Sequence, residues 1–158
     1  MINTILIKNE ELQQQINLRN FYMGDSAKRK DIDADTIQSS NDDKELLCMF
    51  IKTACNELVS AVSLRFPQIT YNITKEDIEI EFVTESIYPE HLLPMLQQSI
   101  ENYLVNEVIL QWLLLRRPDM AHSHISLRTT LYSNVQHLFA KIYSRKKIRR
   151  RATNLAGI

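Results

Sequence analysis

Glycine is almost missing from this chain, with two in 158 residues. Barrels, sandwiches and phosphate-cradling loops lean on positive-φ positions that glycine fills most readily, so the shortage argues against them and in favour of helices. Cysteine is equally sparse. Cys48 and Cys55 stand seven residues apart on one expected helix, which puts their Cα atoms ~10 Å apart, beyond the reach of a disulfide. Both read as reduced core thiols, in keeping with a reducing, cytosolic site of assembly. Long hydrophobic runs are lacking too. The longest, Val108 to Leu115, is interrupted by Gln111 and is far short of a membrane span, so no membrane partner is expected. The opening residues, Met1 to Lys8, have no long apolar core followed by a small-residue cleavage site, so they do not read as a signal peptide. There is no internal repeat and no glycine-lined nucleophile elbow.

What is present is charge of both signs, unevenly placed. The chain holds 19 basic and 19 acidic residues. Up to Glu101 there are 9 Lys/Arg and 17 Asp/Glu, a net of −8; after it there are 10 and 2, a net of +8. Such a chain has two electrostatic ends. It can stack head to tail on copies of itself, or hold a polyanion at one end. A length of 158 residues with 44% apolar content suffices for one domain with a true core.

Hydrophobic periodicity predicts a mainly α fold: a helical bundle of three to four helices with one inserted β-hairpin and extended N- and C-terminal arms. Residues 1–43 read as an arm, with a short helix over 9–23 that runs out at Gly24 and a polar linker over 25–43. Residues 44–146 read as the body. Ser40, Asn41 or Asp42 is placed to cap its first helix, which carries the stripe Leu47, Phe50, Ile51, Ala54, Leu58, Ala61 and Val62 and ends before Pro67. The period then changes to two. Ile69, Tyr71 and Ile73, then Ile78, Ile80 and Phe82, form a hairpin near 69–83 around Thr74 to Asp77. It should pack on helices or pair with another subunit. Pro89 or Pro94 opens a helix whose second half is apolar nearly all round, predicting burial on several sides. Arg117, Pro118 and Asp119 make a short connection, which implies an antiparallel partner helix. Its seam is Met120, His124, Leu127, Leu131, Val135, Leu138 and Ile142. Residues 147–158 read as a basic C-terminal arm.

Few residues suggest chemistry. His122 and His124 are two apart and point to different helix faces, so no metal is expected; His124 falls in the seam and reads as a hydrogen-bonded core histidine. Glu76, Asp77, Glu79, Glu81 and Glu85 could serve acid–base work. The simpler reading is a strand face exposed to solvent or to another subunit, with Glu79 and Glu81 side by side on it. Those two, with Asp31, Asp33 and Asp35 of the linker, are the expected subunit contacts. No cofactor and no enzymatic activity are expected.

The basic run is a stronger signal. Lys141, Arg145, Lys146, Lys147, Arg149, Arg150 and Arg151 occupy seven of eleven positions. Docking on an acidic partner, including the acidic half of a neighbouring copy, is favoured over contact with DNA phosphates and over a merely solvated tail. Tyr143 is the one aromatic within it, too little for a single-strand stacking platform.

The stretch Leu92–Leu104 running into Ile109–Leu113, then Arg117–Asp119, a long helix and Tyr143–Arg150, with Thr36–Ser40 before the first long helix, resembles small structural proteins of tailed phages and prophages of Bacteroidales. The layout is similar to head–tail connector, or neck, proteins. That resemblance implies a homo-oligomeric ring of about a dozen copies, joined to the portal and to adjacent tail or neck proteins in the virion, with duplex DNA passing through its lumen. It brings no catalytic residues. A DNA-binding or packaging accessory protein and a tail-completion or terminator protein are the alternatives.

Overall fold

The computed structural model describes residues 2–28, 39–66, 68–84 and 90–155, and beyond Lys141 it describes helical backbone only. In chain order the elements are β1 (Ile2–Lys8), α1 (Asn9–Lys28), α2 (Lys44–Ser63), β2 (Ile69–Ile73), β3 (Asp77–Val83), α3 (Leu93–Arg116) and α4 (His122–Leu155). The mainly helical bundle with an inserted antiparallel β element is what the periodicity predicts.

The third strand was not expected. Ile2–Lys8, read as part of an arm, pairs antiparallel with β3 from Ile2 opposite Val83 to Lys8 opposite Asp77. The sheet order is β1-β3-β2, so the hairpin supplies a central strand and one edge. Ile5 and Ile7 of β1 join Ile78, Ile80 and Phe82 in the core. The hairpin turn needs no glycine because the Thr74 hydroxyl accepts hydrogen bonds from the Glu76 and Asp77 amides, at 3.3 and 2.9 Å.

α1 also differs from expectation. It is 20 residues long and passes through Gly24, which is buried. Glycine inside a helix costs about 1 kcal/mol against alanine, but helix packing overrides that local signal. Leu12 and Ile16 lie in the core, so residues 2–28 belong to the body rather than to an arm.

Of the anticipated stripe α2 buries Leu47, Ile51, Ala54, Leu58 and Val62, with Cys55 beside them, while Phe50 and Ala61 at its margins are half-buried. It is the single helix among the described residues that is long and apolar enough to cross a membrane. A short 3-10 turn, Asn41–Asp43, precedes it. There the carboxylate of Asp43 reaches back and accepts from both the amide and the hydroxyl of Ser40, each at 2.9 Å. These bonds hold the Asp43 carboxyl below the usual carboxylate range. Of the two cysteines, Cys55 is buried and Cys48 half-buried, and both are free thiols. Burial pushes the Cys55 thiol up to about 12.

α3 is the axis of the molecule, touching α1, α2, α4 and β1. Every residue from Tyr103 to Leu110 is buried, as the all-round apolar pattern predicts, but the last turn departs from it: Leu114 and Leu115 are exposed. α4 packs antiparallel beside it after a turn in which Arg117 and Asp119 are ion-paired at 2.7 Å. Val135, Leu138 and Phe139 are in the core. Phe139 stacks on Phe66 with ring centroids 5.5 Å apart and meets Phe82 edge-on at 5.3 Å, tying α4 to the sheet and to the end of α2. One seam position is corrected: Leu127 is 41% exposed, and the half-exposed Arg128 beside it reaches Glu107 of α3. The drift of a 3.5-residue seam on a 3.6-residue helix is only about 20° per heptad, and Leu131, Val135 and Leu138 still pack inward; at the level of Leu127 the contact with α3 is instead the polar one between Arg128 and Glu107. The helix runs on to Leu155, so the basic run beginning at Lys141 lies along α4.

Candidate functional site

Alternation along β3 turns Ile78, Ile80 and Phe82 inward and sends Glu79 and Glu81 to the opposite face, side by side as expected. The register sets their neighbours. Glu81 lies between Thr4 of β1 and Thr70 of β2, and Glu79 between Leu6 and Asn72. No cation stands opposite either glutamate, and among the described residues neither is in an ion pair. Ile2 and Leu6, 70% and 47% exposed, share this face. The outcome is a pair of carboxylates outside any described ion pair, bordered by exposed Ile2 and Leu6, with Lys8 at the end of the same face opposite Asp77.

The basic run begins on the other side of the sheet. Phe139 contacts Phe82 on the inner face, and exposed Lys141 follows two residues later. Arg145, Lys146, Lys147, Arg149, Arg150 and Arg151 occupy helical positions of α4; the placement of their side chains lies outside the described residues. Asp31, Asp33 and Asp35, and also Glu85, lie wholly outside them. Of the expected contact residues, the structure thus brings together Glu79 and Glu81.

Sequence reasoning missed a polar cluster where α2, α3 and α4 meet. Glu107, in the most apolar part of α3, has a side chain only 3% exposed. Its Oε2 lies 2.8 Å from Nε of Arg128 on α4, while Nη2 of Arg128 donates to Oε2 of Glu57 on α2, also at 2.8 Å. The Glu107 oxygen is out of line with the Arg128 N–H, so their contact is an ion pair more than a hydrogen bond. Burial raises the Glu107 pKa even though Arg128 opposes the shift. Burial, with the Glu107 charge adding to it, lifts the Tyr103 hydroxyl to about 12. Above this cluster lies an open groove of about 730 Å³, whose walls include Leu64, Tyr103, Thr129 and Tyr132. One signal was available: Glu107 and Asp119 are the only acids after Glu101. A carboxylate alone among buried apolar residues demands a cationic partner.

His124 is hydrogen-bonded, as the seam implied, but it is half-buried at the edge of the core rather than within it. Its Nδ1 is 2.8 Å from Asn106 Oδ1, and Asn106 Nδ2 donates to the His124 carbonyl at 3.2 Å. Burial first, then the nearby Arg19 charge, lowers its pKa. Among the described residues no three His, Cys, Asp or Glu side chains are grouped to hold a metal.

Compared with protein-family models, with curated proteins and with solved structures, the chain matches none.

Proposed function

We propose that this protein is a non-enzymatic structural subunit that assembles head to tail with copies of itself, as a connector or neck ring between portal and tail of a tailed-phage virion. The observation that carries the assembly reading is the acidic strand face of Asp77, Glu79 and Glu81, which holds one lysine, Lys8, at its end, set against the concentrated cations on one long helix. Opposite charge on two surfaces of one subunit favours a heterologous contact, and heterologous contacts close into rings. The connector assignment rests on the resemblance given above.

Mass measurement of the purified protein, alone and with portal, is the direct test. The double substitution Glu79→Lys and Glu81→Lys should shift the population towards monomer, and raised salt should act in the same direction on the native chain. A native protein that is strictly monomeric and ignores portal would overturn the proposal.

A second reading, non-specific binding to duplex DNA, is favoured by the continuation of α4 as a helix through all seven cations of the run. It requires an affinity that drops steeply with salt, with a slope near −0.9 per phosphate neutralised. Charge reversal between Arg145 and Arg151 should abolish that affinity with helix content unchanged. No binding at low salt would rule this reading out.

A further inference from the structure

The acidic half of the chain contains a local reversal of charge. Lys44 and Lys52, two turns apart on α2, and Lys75, in the β2–β3 turn, line one concavity of about 410 Å³. Asn9 and Gln13 at the start of α1, Cys48 and Ile51 of α2, and Ile73 and Thr74 complete its wall, so no carboxylate lines it. Only 9 basic residues lie in the first 101, and three of them meet here. Among the described residues none of the three is in an ion pair. Three like charges held around one hollow repel one another, a cost that a bound anion removes.

The polar part of the wall is already organised. Asn9 is buried, and its amide N–H is fixed by the Glu76 carbonyl at 2.8 Å. Gln13 Nε2 donates to Asn9 Oδ1 at 3.2 Å and to Cys48 Sγ at 3.6 Å. The Thr74 hydroxyl is committed to the turn that presents Lys75. The charged donors of the wall are the three ammonium groups. Lysine binds phosphate as a mobile point charge rather than through a planar fork, which suits an anion of approximately spherical charge.

We propose that this concavity is a binding site for a compact phosphoryl oxyanion, of the size of phosphate or pyrophosphate, free or at the end of a small molecule. The surroundings argue against a polyanion. Asp42 and Glu45 line an adjoining hollow that shares Lys44, Cys48 and Lys52 with this one, and Glu76 and Asp77 follow Lys75 directly. An extended phosphate backbone would run into these carboxylates, whereas a compact anion would not.

Cys48 supplies a reporter in the native chain, because it is half-buried in the wall while Cys55 is buried. With full-length protein, alkylation of Cys48 by iodoacetamide should slow several-fold in millimolar inorganic pyrophosphate, relative to sodium chloride of equal ionic strength. Phosphate should act in the same way but more weakly. The variant K44Q/K52Q/K75Q, checked for native helix content, should alkylate at the same rate with and without pyrophosphate. A short DNA duplex at equal phosphate concentration should give no protection; protection by duplex alone would replace the small-anion site with a nucleic-acid surface. Alkylation of native protein that is indifferent to pyrophosphate, or equal protection in the triple variant, would overturn the proposal.

Discussion

Arg128→Ala is expected to lower the unfolding free energy by about 2–3 kcal/mol near neutral pH. Removing one partner of a buried pair typically costs about 3–5 kcal/mol because the other charge is stranded. The figure here is lower because the Arg128 side chain is 41% exposed, so solvent already screens part of the interaction. The stranded group is Glu107, which can escape by taking up a proton. Its folded pKa already lies above the ordinary 4.5 through burial, and Arg128 is the main group opposing that rise. Between the unfolded and folded pKa values the folded state holds a proton that the unfolded chain has released. Stability is therefore greatest below the unfolded value and is lost as pH rises through the folded one. Without Arg128 that window widens upward, so the variant's deficit should shrink as pH falls towards 5. Urea denaturation at the two pH values measures it. Replacing both groups, as in Glu107→Met with Arg128→Met, should cost far less than Arg128→Ala alone. A single-variant deficit that does not change with pH would show that Glu107 is not the group left stranded.

Phe139→Ala should be the most damaging truncation in α4, at about 3–5 kcal/mol. The ring lies between Phe66 and Phe82, so its loss opens a cavity at the junction of α2, the sheet and α4. A domain of this kind has about 5–15 kcal/mol of total stability, so the variant should unfold at markedly lower temperature. Phe139→Leu, which keeps most of the volume, should cost roughly half as much or less. The exposed Leu127→Ala should cost well under 1 kcal/mol. Thermal unfolding followed by circular dichroism ranks the three. Leu127→Ala as harmful as Phe139→Ala would restore the straight seam that the structure replaces.

Legibility followed how local each determinant is. The stripe of α2, the alternation of the hairpin, the Thr74 turn and the encircled half of α3 all read directly, because pattern and partner lie within one segment. The hydrogen bonding of His124 was readable from its place among apolar seam residues, while its half-burial depended on how α4 sits against Asn106 of α3. β1 escaped notice since Ile2 and Leu6 face outward and blur the period of two, while its partner strand is some seventy-five residues away. Gly24 gave a true local stop signal that tertiary packing overrode. The clasp of Glu57, Glu107 and Arg128 was hidden because it draws one residue from each of three helices, and no spacing rule joins them. For the candidate contact surface, Glu79 and Glu81 were readable from strand parity alone. What lies beside them, Leu6 and Thr4 on one flank and Asn72 and Thr70 on the other, depended on the unseen strand.

The pairing of Ile2 with Val83 also has a consequence for synthesis. The first strand leaves the ribosome long before its mate is made, and at about 5–20 residues per second it waits for several seconds. Throughout that interval Ile2–Lys8 is a β-prone stretch whose single charge is the lysine at its far end, the kind of segment that pairs readily with other chains. The nascent protein is thus most vulnerable before residue 83 emerges. Production in cells should respond more to chaperone supply and translation speed than the stability of the finished fold would suggest.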